Sequence, residues 1–215
     1  GGLSPAQEGG DRQDGRLPRR LTGSRDIREM LFRYRSYTPL PLVALMLLFA
    51  KPSVSSFLWG LPVALAGELI RLWGVSIAGS ETRVTGGVGA SQLVLSGPFA
   101  WVRNPLYLGN ILIYLGLGVA SFALFPWLQA GAGLWFVFQY SAIVGLEEEF
   151  LLEKFGEQYR RYAAAVPRFL PGLRPYRGAG ASQPVLSWSR GVRSERRTLQ
   201  AILLLTAALI VRGMV

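Results

Sequence analysis

The chain has 215 residues, half of them hydrophobic and only 17% charged, with a formal charge of +10 and neither Cys nor His. A soluble domain carries about 25% charged residues, so this deficit beside long apolar runs points to an integral membrane protein. Composition excludes disulfides, thiolate chemistry, zinc sites built on Cys or His, and Ser-His or Cys-His catalysis.

The positive excess reads as the basic bias of membrane loops. No basic stripe lies on a recognisable nucleic-acid-binding module, so neither nucleic acid nor a metal is an expected partner. Residues 1–36 are rich in Gly and Arg and lack an apolar stretch. They read as a flexible basic arm, with a short interfacial helix over 24–35. Residues 37–50 are apolar but short, with Pro39 and Pro41 where a helix start tolerates them. Residues 57–78 form a longer run, interrupted by Pro62 and the pair Glu68/Arg71. Together the two runs predict a helical hairpin whose first span is marginal in length.

A Gly-rich connection follows over 79–104, GSETRVTGGVGASQLVLSGPFAWVRN. From 104 to 146 no Asp, Glu, Lys or Arg occurs, a run about twice the length needed to cross a bilayer. Phe125-Pro126-Trp127 divides it, predicting spans over 106–124 and 128–146. The run stops at Glu147-Glu148-Glu149, and EEEFLLEKFGEQYRRYAAAV continues as an amphipathic helix in which Gly156 is the weak point. Three prolines in VPRFLPGLRPY end it. The predicted organisation is an arm over 1–36, a membrane core over 37–176, a basic linker over 177–198 and a C-terminal apolar helix within 199–215. The fold class is all-α, an integral membrane bundle of four to five transmembrane helices. Parity returns the 79–104 and 147–177 segments to one face, where Arg and Lys collect. That face is expected to be cytoplasmic, in a multi-pass protein of the inner or plasma membrane.

Three clusters carry chemistry. At Arg103-Asn104-Pro105 the proline disfavours helical geometry at Asn104 and starts a helix, whose open N–H groups suit a carboxylate or a polar cofactor group. Read alone, Arg103 also fits a residue that snorkels to lipid phosphates. The triplet Glu147–Glu149 repels itself and calls for a cationic or hydroxyl-bearing partner, and Ile143 shares a helix face with Glu147. Glu68 and Arg71 are ionisable groups inside a span, either functional or a mutually satisfied pair. The GxG patterns at 87–89 and 116–118 are weak signals, the second suited to close helix packing.

The stretch QLVLSGPFAWVRNPLYLG followed by EEEFLLEKFGEQYRRYAAAVPRFLP resembles the isoprenylcysteine carboxyl methyltransferase family and its phospholipid N-methyltransferase relatives. Order and spacing agree over roughly 67–171, GELIRLWG included. The resemblance implies an S-adenosylmethionine-dependent methyltransferase with its cofactor site at the cytoplasmic face. Position by position, it implies cofactor contacts from Ser91, Gln92, Leu93, Val94, Phe99, Asn104, Pro105, Leu106 and Tyr107, and a cofactor-binding carboxylate at Glu147. Phe99 stands where the family usually has Tyr, and Asn104 where His is common. Where the prenylcysteine enzymes place an Arg that holds the substrate carboxylate, this chain has Ile143, which cannot pair with one.

Arg103 and Glu147 are then the candidate catalytic residues, with Ile143, Glu148 and Arg71 on the substrate side. The expected acceptor is amphipathic or lipid-like and enters from the bilayer. Two other readings stand beside this one: an NADPH-dependent membrane reductase, and a non-catalytic membrane protein.

Overall fold

In the computed structural model, residues 22–79, 92–178 and 183–214 are described, side chains from residue 27 onward. They form six α-helices and one short 3-10 turn, with no strand among the described residues. The helices are α1 (Thr22–Tyr34), α2 (Leu40–Leu48), α3 (Val54–Ala78), α4 (Pro105–Ser121), α5 (Trp127–Ala165) and α6 (Trp188–Met214), with the 3-10 turn at Gly97–Ala100. Ser53 starts α3 with a reciprocal capping box: the Ser56 N–H donates to Ser53 Oγ at 3.1 Å and the Ser53 N–H to Ser56 Oγ at 2.9 Å. Ser56 Oγ also donates to the Ala120 carbonyl at 2.9 Å, which ties the start of α3 to the end of α4.

Small residues let α3 and α4 pack backbone to backbone. A Cβ on Gly67 would lie 2.6 Å from the Gly109 carbonyl oxygen, and one on Gly116 at 2.6 Å from that of Gly60. The second glycine pattern, at 116–118, thus serves close packing, as expected. Gly67→Leu is expected to wedge the pair apart at about 1–3 kcal/mol, read as a lower unfolding midpoint in detergent. In α5 the helix passes through Gly156 at φ 52° and ψ −124°, a left-handed conformation open to glycine. The helix therefore kinks there without stopping.

Two helices, α3 and α6, are long and apolar enough to cross a membrane, and α4 is a shorter apolar helix. The apolar stretch of α6 is hardly buried in the bundle, with Leu203, Leu204 and Val211 exposed. Apolar surface on that scale belongs in apolar surroundings, so the chain associates with a membrane.

Three expectations need correction. The first apolar run yields only nine helical residues in α2, about 14 Å against a hydrocarbon core of about 30 Å. Within the arm expected over 1–36, the short helix expected over 24–35 is present as α1, but it is not a free interfacial segment, since it packs on α5 and buries Leu31 against Ala132, Phe136 and Ile143. The linker expected over 177–198 is helical from Trp188, because Glu195 is buried in the bundle and the Ser187 N–H donates to the Ser76 carbonyl at 2.8 Å. Residues 1–21 lie outside the described part.

The chain order gathers one set of helix ends. The C-terminal end of α3, the start of α4 and the start of α6 meet at one end of the bundle, together with the kinked half of α5. At the opposite end the Lys51 N–H donates to the Ser121 carbonyl at 2.9 Å.

Candidate functional site

The two sequence motifs are sewn together by backbone. Past the end of α5, residues 166–178 run alongside the 3-10 turn. The Arg103 N–H donates to the Pro167 carbonyl at 2.9 Å, the Gly172 N–H to Trp101 at 2.7 Å and the Tyr176 N–H to Ala100 at 2.8 Å. Asn104 Nδ2 donates to the Arg168 carbonyl at 3.1 Å, and the Tyr162 hydroxyl to that of Phe99 at 2.8 Å. Asn104 turns the chain at φ −125° and ψ 61° without capping the helix through its side chain, and Pro105 opens α4. The N–H groups of Leu106 and Tyr107, in the first turn, have no acceptor within the helix.

Between the motifs lies a cavity of about 520 Å³. Gln92, Leu93, Val94, Phe99, Arg103, Asn104, Pro105, Leu106 and Tyr107 line it, with Glu147, Glu148 and Arg71. Ser91 and the 87–89 glycines lie outside the described residues. Ile143 does not line the cavity: it is fully buried with Leu31 and Phe136 in an apolar cluster. Tyr140, two turns before Glu147, takes the wall position and packs on Tyr107 with ring centroids 4.7 Å apart.

The three glutamates part company. Glu147 Oε1 accepts from the Tyr107 hydroxyl at 2.7 Å. Glu148 is held between two cations: Arg103 Nη1 lies 2.9 Å from its Oε1, and Arg168 donates to both oxygens, from Nε to Oε1 at 3.2 Å and from Nη2 to Oε2. Glu149 points outward to Arg28, 2.8 Å away. Glu148 is therefore committed to protein partners, and Arg103 with it, although Arg103 Nε is buried without a partner among the described residues. Burial pushes the Tyr159 hydroxyl, on the cavity wall, up to about 12, so it stays neutral at ordinary pH.

Deeper in the bundle Arg71 is the hub. Its Nη2 lies 2.6 Å from Glu195 Oε2, its Nη1 donates to Asn110 Oδ1 at 2.5 Å, and its Nε stands 3.8 Å from Glu68 Oε2. The pairing of Glu68 with Arg71 is thus the looser part of a network whose main partner is on α6. Sequence reasoning missed Glu195, Asn110, Arg168 and Arg35, all of which line or brace the cavity. Asn110, a polar side chain inside the charge-free run, was the one signal available. Glu195, amid RSERR, looked like a solvated linker residue.

Comparison with known proteins bears on the same segment. Residues 55–158 match the family model described as phospholipid methyltransferase. That segment belongs to this family, in agreement with the resemblance carried by its motifs. The chain is 36% identical over 109 residues to the cobalt-zinc-cadmium resistance protein CzcN of Cupriavidus metallidurans, covering 51% of this chain and 46% of that protein. It is 33% identical over 88 residues to the nickel-cobalt-cadmium resistance protein NccN of Alcaligenes xylosoxydans xylosoxydans, covering 41% of this chain and 40% of that protein. The chain thus matches less than half the length of each of these curated relatives.

Proposed function

We propose that this chain is an integral-membrane, S-adenosylmethionine-dependent methyltransferase acting on an amphipathic, lipid-like acceptor at the cytoplasmic face. The observation that carries the reading is the cavity of about 520 Å³, whose wall is shared by the 92–107 segment and Glu147. Its size falls within the roughly 300–1,000 Å³ of small-molecule sites. The donor set suits such a cofactor, which carries a sulfonium, an amino group, a carboxylate and a ribose diol. Glu147 offers a carboxylate to the cationic or hydroxyl groups, and the Tyr107 and Tyr140 rings offer π faces to a sulfonium. The open N–H groups at the start of α4 and the unpartnered Arg103 Nε suit a carboxylate.

When bound, the cofactor supplies an electrophilic methyl group. The protein's part is to bind, align and exclude water rather than to shuttle protons, which suits a chain without His. Tyr107 fixes the Glu147 carboxylate by its hydroxyl, while Arg103 and Arg168 brace Glu148 and hold the corner that carries Asn104. Arg28, Arg103, Arg168 and Arg196 all lie on segments at the cavity end of the bundle, which supports a cytoplasmic orientation of that end. The metal-resistance names of the two relatives contribute nothing here, because this chain matches less than half of each.

Glu147→Gln tests the reading. It is expected to weaken S-adenosylmethionine binding by about 1–3 kcal/mol, roughly fivefold to 150-fold, with folding intact. Titration of the detergent-purified protein with S-adenosylmethionine and with NADPH measures this. Unchanged affinity removes Glu147 from the site, and tight binding of NADPH alone replaces the methyltransferase with a reductase. Transfer of tritiated methyl groups to total membrane lipid would then identify the acceptor.

A further inference from the structure

We propose that Arg35, at the end of α1, is the residue of this cavity that receives the anionic group of the methyl acceptor; the proposal rests on the methyltransferase reading above. Three arginines line the cavity: Arg35, Arg71 and Arg103. Arg71 is neutralised by Glu195 at 2.6 Å and Arg103 by Glu148 at 2.9 Å. Arg35 enters none of the ion pairs among the described residues. Its Nη1 donates to the Phe32 carbonyl at 3.0 Å and its guanidinium lies over the Phe32 ring, 4.0 Å from the centroid. Stacking and the backbone bond fix the plane of the fork and leave further N–H donors for a planar or tetrahedral oxyanion.

Arg35 reaches the same cavity from a different element, near enough to Glu147 and Tyr107 for its charge to be felt at both. The 92–107 segment and Glu147 form the walls assigned to the sulfonium donor. Arg35 enters from α1, where that helix hands over to the apolar α2, beside Ser36 and Pro39. An amphipathic molecule whose chain lies in lipid brings its polar head to such a junction. The docking of α1 is itself fixed, through Leu31 buried against Ile143 and through Arg28 paired with Glu149 at 2.8 Å. Arg35 stands one helical turn beyond Leu31, so the face that docks α1 also carries the guanidinium to the cavity. The recognised chemistry is an anionic oxygen group, carboxylate or phosphate, on an apolar chain.

The test uses the full chain in phosphatidylcholine nanodiscs. Decanoate, decyl phosphate and neutral decanol are titrated, with thermal stabilisation as the readout, and S-adenosylmethionine is titrated in parallel. The parent is expected to bind at least one anionic amphiphile about tenfold tighter than decanol, and which one distinguishes carboxylate from phosphate. Arg35→Gln is expected to abolish that preference while S-adenosylmethionine affinity changes by less than about threefold, whereas Arg33→Gln, on the exposed side of α1, changes neither. An anion preference that survives Arg35→Gln, or a loss confined to S-adenosylmethionine binding, overturns the proposal. If Arg35→Gln does not fold, Arg35→Lys carries the test: a preference clearly weakened in that variant supports the proposal, because Lys lacks the planar fork, and one as strong as in the parent overturns it. A parent that ignores S-adenosylmethionine yet shows an Arg35-dependent anion preference sinks the methyltransferase reading and leaves the anion site standing.

Discussion

Glu195→Ala is expected to destabilise the bundle by about 3 kcal/mol, because it takes the close carboxylate from a buried guanidinium and leaves only the looser Glu68. Glu195 is 3% exposed and the Arg71 side chain 14%, so water does not replace the lost partner. What remains is Asn110, a neutral acceptor, and Glu68, whose nearer oxygen is 3.8 Å from Arg71 Nε. Those contacts join α3, α4 and α6, and their loss should let the start of α6 leave the bundle. For a chain of this size the unfolding midpoint should fall by at least about 6 °C. Glu195→Gln should cost less, since its amide oxygen still accepts from Arg71. The triple variant Glu68→Leu, Arg71→Met and Glu195→Leu should recover most of the loss, because it replaces the whole buried cluster and strands neither the arginine nor Glu68. If Glu195→Ala unfolds within about 2 °C of the parent, α6 is held by apolar contacts alone.

Glu148→Ala is expected to loosen the site itself. The Glu148 and Arg103 side chains are 13% and 16% exposed, so removing the carboxylate leaves Arg103 buried and uncompensated, at about 3 kcal/mol. Arg168, 42% exposed, recovers hydration and adds little. Because Arg168 also offers its carbonyl to Asn104, the 166–178 segment and the start of α4 should loosen together. Faster amide hydrogen exchange over 166–178, accompanied by weaker S-adenosylmethionine binding, is the expected outcome. Glu147→Gln should weaken binding without that change in exchange. Equal exchange in Glu148→Ala and parent would mean that the backbone bonds from Arg103, Gly172 and Tyr176 hold the corner unaided.

Much of the architecture was legible because its causes are local. Asn104-Pro105 begins α4 as written, since proline restricts the residue before it and suits a first helical turn. The break near Phe125-Pro126 separates α4 from α5, and Val166-Pro167 lies where α5 ends. The motifs also pointed to most of the cavity wall, from Gln92 to Tyr107 and on to Glu147.

The failures share a physical cause. Ile143 and Tyr140 both fall close to the Glu147 face, four and seven residues back at about 100° per residue, and helical spacing separates them by only about 60°. Leu31, from a helix read as lying at the membrane interface, covers the side on which Ile143 sits, and the cavity edge falls between the two. The pairing of Arg71 with Glu195 spans 124 positions, and no periodicity encodes it. A basic stretch such as RSERR looks the same in water as beside a buried arginine, until the bundle closes around it.

By itself, then, the sequence determined an all-helical, membrane-associated chain, where its main helices start and break, and which two stretches carry the chemistry. Proline geometry, charge-free length and helical period act over a few residues, so they can be read off the chain. Only the tertiary structure decided which charges neutralise each other, that α1 and α6 belong to the site, and which arginine facing the cavity enters no ion pair among the described residues. Ion pairing acts through space and depends on burial, and burial exists only once the helices have packed.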